Sequence, residues 1–379
     1  MRSRALPGQI PSFLMGSDLS PTDEQGSIQM VDLFAGPGGL DVAATWLGLR
    51  ASGVEWDRNA RTTRAAAGLI TAPEGDVRDN KPSDFPEASI LVGGPPCQTF
   101  TVAGSGAGRR ALTTVLDLVR RLGDNEDITE TVDQLDDERT GLVLQPLHWA
   151  LEAQKNGAAY KTIVLEQVPA VLPVWQGVGE VLKKKGYGVA TGLLKTEQFG
   201  VPQTRRRAIL IARLGEEEVF LPSPTHRHYN KGMVRSSGDS RLKEWATMGE
   251  ALDPWRSPFT VVSNYGTGGD PKARGRRSHA EPAFTVTGKV SRNLLDDIVP
   301  VFKDRFTLEE AGRLQTFPAF YPWSGMDKAQ QIGNAIPPRL AAHVLAAALG
   351  IDINLTQLDL AVKSAWDESR LINIVDGSD

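Results

Sequence analysis

The chain holds one cysteine, Cys97, inside the stretch LVGGPPCQTFTVAG at residues 91–104. An arbitrary cysteine is more often a small apolar filler than a reagent. Here two glycines and two prolines stand directly before it, and the prolines restrict φ where a strand gives way to a loop. Packing needs no such rigidity, whereas holding a thiolate against a substrate does. A second candidate is Glu166 in IVLEQVP, at the end of an apolar run. A carboxyl buried there could stay protonated and donate to a base. A third is QTRRRAILIA at 203–212. If that segment is extended, Arg205 and Arg207 share one face and Arg206 takes the other. Arginines entering a buried strand keep their charge, so they suit anions or carbonyl oxygens. Taken singly, each motif also has a plainer reading: a filler thiol, a glutamate at a solvent-facing strand end, surface charge.

DLFAGPGG at 32–39 sets three glycines between a strand and a helix. Glycine lets backbone approach a ligand, and a helix N-terminus offers free N–H groups. The nicotinamide fingerprint GxGxxG is not met; the pattern is GxGG. About 20 residues on, Glu55 closes the next strand, where a carboxylate commonly holds a ribose hydroxyl pair. Asp76 in EGDV is expected on a third strand, within reach of an adenine amino group. Together these describe an adenosine-bearing cofactor without requiring phosphates, which favours S-adenosylmethionine over a dinucleotide.

The elements that must carry these residues alternate. Apolar strand-like runs precede Asp32 and fill 51–57, 89–97, 161–169 and 206–214, with helical spacing at Leu40–Leu47 and around 141–155. That alternation predicts a doubly wound α/β sheet, with ligands beyond the carboxyl ends of the strands. From about 215 to 295, Pro, Ser, His, Arg and Gly dominate, with short alternating segments such as FTVVSNY and AFTVTGK. Helical pattern returns at TLEEAGRLQTF and at PPRLAAHVLAAALG, which has Pro at its start and Gly at its end. The expected organisation is a polar arm over 1–27, a cofactor domain over 28–214 and 328–379, and a smaller domain over 215–327.

The 379 residues include 40% hydrophobic and 23% charged positions, enough for a large core. No stretch approaches the roughly 18 apolar residues of a membrane span, and the first 27 lack the apolar core of a signal peptide. A single cysteine excludes an internal disulfide framework and fits a reducing cytoplasm. His226 and His228 would point the same way on a strand, but nothing completes a metal site, so none is expected. The net charge of −4 is unevenly spread. Residues 221–295 carry twelve Lys and Arg against six Asp and Glu, whereas 121–140 carry eight acids against two bases. The first is a candidate nucleic-acid surface; the second would repel phosphates and is expected to face away from them.

The order DLFAGPGG, EWD, GGPPCQ, LEQVP, QTRRR, RLQTFP and QIGNAIPP resembles the DNA (cytosine-5) methyltransferase family over nearly all of residues 30–350, apart from about 215–295. The resemblance implies a Rossmann-like, S-adenosylmethionine-dependent methyltransferase domain whose last motif packs beside the first. The variable basic region falls where the family keeps its target-recognition domain. By the same resemblance Cys97 is the nucleophile, Glu166 engages ring nitrogen 3, and Arg205 and Arg207 contact the base and support the pocket. Phe34, Ala35, Gly36, Gly38, Gly39, Glu55, Trp56, Asp76, Pro96, Leu142 and Asn334 fall at cofactor-contacting positions, and RLQTFP braces the recognition domain. The implied partner is double-stranded DNA, acted on by a cytoplasmic, bacterial, monomeric enzyme of restriction-modification type. A restriction endonuclease acting on the same site would form no stable complex with it. One departure stands out: Gln167 occupies the place of the family's usual asparagine after the glutamate, which puts the bracing of the nucleophile's loop in question. An RNA-modifying relative would carry Cys-Phe-Thr, which CQT at 97–99 does not supply. A catalytically impaired DNA-binding homologue is the other reading. A nicotinamide oxidoreductase explains neither GGPPCQ nor QTRRR.

Overall fold

The computed structural model describes residues 27, 29–96, 106–135, 138–252, 258–263, 274–296 and 305–377. Cys97 and nearly all of the N-terminal arm lie outside the described residues, and so do the first two residues of KARGRR.

Six strands form one mixed sheet: β1 (Met30–Leu33), β2 (Ala51–Val54), β3 (Ile90–Gly93), β4 (Thr162–Gln167), β5 (Tyr187–Lys195) and β6 (Arg206–Leu214), in the order β2-β1-β3-β4-β6-β5. The first four run parallel; β6 is antiparallel to β4 and to β5. Period-2 alternation divides the strands' side chains between two cores. Met30, Ile90, Val92, Val164, Ile209 and Ile211 go to one, while Val31, Leu33, Leu91, Ile163, Leu165 and Leu210 go to the other. Both faces are therefore covered, as a parallel sheet requires.

On the first face lie α1 (Gly39–Trp46) and the helix from PPRLAAHVLAAAL; on the second, Trp149, Val174, Trp175 and Val178 fill the core. The chain supplies α2 (Arg58–Ala66), α3 (Gly106–Gly123), α4 (Thr129–Asp133), α5 (Glu138–Leu142), α6 (Gln145–Lys155) and α7 (Leu172–Lys184) along the way. The helical stretch expected around 141–155 divides at 143–144, and Pro146 sits in the first turn of α6. Asp76 lies on no strand: the turn-forming PEGD segment holds it between α2 and β3.

Past β6, α8 (Met248–Ala251) precedes a second sheet of three short antiparallel strands, ordered β8 (Arg276–Ser278), β7 (Thr260–Val262), β9 (Leu294–Asp296). A small third core of Met248, Phe259, Val261, Leu295, Phe306 and Leu314 sits under it. AFTVTGK forms no strand of this sheet; Ala283 bridges Gln203 instead. TLEEAGRL becomes α9 (Leu308–Leu314), begun by a reciprocal Thr307–Glu310 capping box. Then α10 (Lys328–Asn334), α11 (Pro338–Leu349), α12 (Leu355–Lys363) and α13 (Trp366–Ser369) return to the large sheet. Phe317 and Tyr321 join the first core, while Ile332 joins the third. The last motif does pack on the first, and very closely: a Cβ on Gly39 would lie 2.4 Å from the Ile336 carbonyl oxygen.

A polar cluster ties α11 to the start of the small domain. Arg339 donates to the Phe199 carbonyl at 2.7 Å and pairs with Asp359 at 2.6 Å, and Asp359 also pairs with Lys243. Two neighbouring histidines are neutral: burial, then the Arg339 charge, pushes His343 down to about 3 and His226 down to about 4. The unfolded chain takes up protons on both as pH falls below about 6.5, while the folded chain does not until pH 3–4. Their contribution to stability is thus full above pH 6.5 and is lost on acidification. His343→Gln should flatten the fall in unfolding free energy between pH 6.5 and 4 by up to about 1.4 kcal/mol per pH unit. Denaturant melts of both proteins across that range test this; parallel slopes would refute it.

Candidate active site

The glycine turn begins where β1 ends. Phe34, Gly36 and Gly38 all take positive φ (63°, 54° and 104°), and Gly38 stands immediately before the first residue of α1. Strain of this kind in a non-glycine residue such as Phe34 is held only where surrounding structure enforces it. The next parallel strand, β2, delivers Glu55 beside the turn, since Val54 pairs with Leu33. The Glu55 carboxylate accepts the Gly36 and Asp57 backbone N–H groups, each at 2.6 Å. Burial pushes this carboxyl up, and those two N–H groups pull it back. Trp56 then projects into solvent, 74% exposed. Among the described residues, no atom beyond its chain neighbours comes within 4 Å of a Cβ placed on Gly36, so the turn is open on its outer side. An open backbone turn, a fixed carboxylate and a bare indole together form a shelf suited to a flat heterocycle carrying a diol.

The shelf is supported from beneath. Asp41 on α1 and Arg64 on α2 form a buried two-pronged ion pair at 2.7 and 2.8 Å. Beside them Asp32 is buried, and burial followed by the Asp41 charge holds its carboxyl well above the ordinary range. The Tyr321 hydroxyl donates to the Pro37 carbonyl at 2.5 Å and so holds the turn from the C-terminal part of the chain. Gly75 approaches the Glu55 carbonyl so closely that a Cβ would lie 2.9 Å from it, which brings Asp76 to the rim of the shelf. Its carboxylate is bound by Arg78, whose hydrogen bonds hold it below the ordinary range. Ala35 and Gly39 are buried in the turn; Pro96 and Leu142 are half-buried. Asn334 is exposed at the end of α10 and accepts the Gln330 amide at 2.7 Å.

The second cluster lies at the ends of β3 and β4, which are parallel neighbours. Glu166 is buried, and its carboxylate pairs with the Arg207 guanidinium. Its other oxygen lies 3.4 Å from where a Cβ on Gly94 would stand, so it reaches the GGPP segment. Gln167, the residue that departs from the family pattern, accepts the Val168 N–H at 2.5 Å and donates through Nε2 to the Pro95 carbonyl. Both ends of this amide are used, and the second end holds the chain two residues before Cys97. The bracing questioned on sequence grounds is therefore made by the longer side chain.

The two arginines divide their work. Arg207 holds Glu166. Arg205 is fully buried and donates to the carbonyls of Val286 (2.8 Å), Gly333 (2.9 Å) and Ala335 (3.2 Å). Its visible bonds thus join the sheet edge to the small domain and to the QIGNAIPP motif. Gln203 in QTRRR and Gln315 in RLQTFP, given no role of their own by the sequence, complete this junction. Gln203 donates to the Leu314 carbonyl and to Gln315 Oε1 and accepts the Val286 N–H. Gln315, within RLQTFP, donates to the Ile332 carbonyl. A cleft of about 530 Å³ opens between the sheet edge and the small domain, bordered by Pro169, Lys195, Glu197, Arg206, Arg207 and Lys231 among others. Arg277 forms part of its wall, packed over Phe284 and bonded to the Pro282 and Ala283 carbonyls. Among the described residues no group of three or more potential ligands could hold a metal, and no helix is long and apolar enough to cross a membrane.

The family model for C-5 cytosine-specific DNA methylase matches residues 28–129 and 137–349. The chain is 28% identical over 354 residues to the type II methyltransferase M.HaeII of Haemophilus aegyptius, covering 90% of this chain and 97% of that one. It is 25% identical over 393 residues to M.NgoFVII of Neisseria gonorrhoeae, covering 91% and 93%. In fold it is similar to the crystal structure of the S. pombe Dnmt2 methyltransferase, with a TM-score of 0.55 at 15% identity, covering 85% of this chain and 98% of that one. With more than half its length matched in order, and with the glycine turn and the Glu166 cluster assembled on one sheet, this chain belongs to the C-5 cytosine-specific DNA methylase family.

Proposed function

We propose that this DNA (cytosine-5-)-methyltransferase modifies a flipped-out cytosine within a specific duplex sequence, through a covalent adduct on Cys97, with S-adenosyl-L-methionine as methyl donor. The observation that carries the reading is the convergence of Glu166, Arg207 and the Gln167-held Pro95 carbonyl at the ends of adjacent strands, directly before the one cysteine.

The shelf fits the cofactor. Trp56 offers a bare aromatic face, Glu55 a fixed carboxylate for ribose hydroxyls, and Gly36 the open space that a bound adenosine needs. Phe34, Gly38 and Asp76 border it. When bound, S-adenosylmethionine supplies an electrophilic methyl group.

Cytosine carbon 5 is a weak nucleophile, so the chain must first activate the ring. The Cys97 thiolate adds to carbon 6, and the electron pair of the 5,6 double bond moves onto carbon 5 and, through carbon 4, toward nitrogen 3. Glu166 meets ring nitrogen 3 and offsets the charge that develops there. Arg207 fixes the glutamate in place. After carbon 5 is methylated, loss of its proton to a base reforms the double bond and expels the Cys97 thiolate. In duplex DNA these atoms are stacked, so the base must leave the helix at a cost of about a few kcal/mol. The basic small domain supports both the grip on the backbone and the reading of base edges. The type II relatives favour a role in restriction-modification.

Duplex DNA carrying 5-fluorocytosine at the target blocks the final proton loss, so wild type should form a denaturation-resistant adduct and Cys97→Ala none. Adduct formation by Cys97→Ala would refute the nucleophile, and labelled methyl appearing in tRNA in preference to duplex DNA would refute the substrate. Glu166→Gln should lower the rate of methyl transfer by about 10²- to 10⁴-fold without altering the melting temperature by more than a few degrees. Gln167→Asn restores the family's usual residue yet shortens the reach to Pro95. It should lower kcat about tenfold, the equivalent of about 1.4 kcal/mol, with KM for DNA within about twofold. Unchanged kcat would show that the Gln167 bond has no part in positioning the loop.

A further inference from the structure

We infer that Lys195 and Arg206 form a two-cation seat for a single backbone phosphate of the DNA at the mouth of the cleft, a seat separate from the base-directed arginines. The inference rests on the DNA-modifying role proposed above and adds a contact that the family resemblance does not supply.

The two residues are directly opposed in the antiparallel pairing of β5 with β6, at the open end of that ladder. Like charges facing one another across strands are unfavourable unless an anion joins them. Within the described residues neither side chain makes a salt bridge or a hydrogen bond to another side chain, whereas Arg207 and Arg213 on the same strand do. Arg207 is committed to Glu166, Arg213 to Glu216, and Arg205 to three carbonyls. Arg206 is exposed and Lys195 half-buried, and both border the cleft. The strand's alternation is the reason for this division: the face that sends Arg207 to the catalytic glutamate sends Arg206 the other way.

Glu197, buried close by, is the nearby acid, and the Lys195 and Arg206 charges act on it. Burial holds its carboxyl above the ordinary range, which weakens its competition for the two cations. Exposed Lys231 and Asn230 line the same cleft. Such a set offers point charges and a guanidinium fork without an apolar floor, which suits a phosphate better than a base edge. The neighbouring Arg207 then gives the seat its purpose, because it fixes the register of the backbone relative to Glu166.

The experiment compares wild type, Lys195→Gln/Arg206→Gln and the charge-preserving Lys195→Arg/Arg206→Lys. Binding to a fluorescent duplex containing the methylated site, and to one lacking it, is measured by anisotropy from 50 to 300 mM salt. One seated phosphate contributes about 0.9 to the slope of log K against log salt. The double glutamine variant should lose close to that amount, with about tenfold weaker binding to both duplexes. Its melting temperature should match wild type, and the charge-preserving variant should keep the slope. An unchanged slope overturns the seat. A loss confined to the duplex carrying the site overturns it too, since it would make the pair a reader of bases. A wild type that binds duplex DNA yet methylates none would refute the proposed function while leaving the seat testable by the same slopes.

Discussion

The antiparallel pairing of β6 with β4 on one side and β5 on the other fixes the working end of this molecule. In that register Gln167 lies opposite Ala208 and Glu166 opposite Ile209, so the arginine one step beyond the ladder meets the glutamate. The same strand start sets Arg206 against Lys195 and leaves Arg205 to enter the junction between the domains. A shift of one residue would exchange the faces and send Arg206 toward Glu166. Because β6 is buried along most of its length between two cores, such a shift would also send each of its apolar side chains into the wrong core. Hydrophobic burial therefore enforces the placement of the polar residues.

The other half of the site depends on charge held out of water. Asp41 and Arg64 are almost wholly buried beneath the glycine turn, where a pair is tolerated only with full hydrogen bonding. Arg64 meets that condition with bonds to Thr71 and the Ile70 carbonyl. Removal of one partner would leave the other charge uncompensated, which is costly by about 3–5 kcal/mol. Above this pair the turn adopts three positive φ angles in five residues. Tyr321, arriving from nearly three hundred residues later in the chain, closes the arrangement by its bond to Pro37. The shelf and the Glu166 cluster thus rest on one sheet, at the carboxyl ends of neighbouring strands, where ligands of open α/β sheets bind.

Much of this was legible in the residues themselves. The glycine turn, the carboxylate after β2, the rigid approach to Cys97 and the arginine-rich strand each carry a local chemical reason for their types and spacing. The alternation of apolar runs was sufficient for the doubly wound sheet, the helical pattern of TLEEAGRLQTF for α9, and the terminal Pro and Gly for α11. Period-2 spacing assigned Arg206 to the face opposite Arg205 and Arg207, but it gave no sign that those two have different partners. Asp76 was misplaced onto a strand because EGDV borders an apolar residue, whereas Pro73 and Gly75 make the segment a turn.

What the sequence determined by itself was therefore the inventory: which groups could act, on which strand or turn each sits, and the family they resemble. Tertiary structure alone decided the pairings. Gln167 with Pro95, Arg205 with the carbonyls of Val286 and Gly333, and Tyr321 with Pro37 join residues separated by between 72 and 284 positions. Local propensity has no access to such distances. Buried donors and acceptors must find partners wherever packing brings them, and only the closed fold fixes where that is.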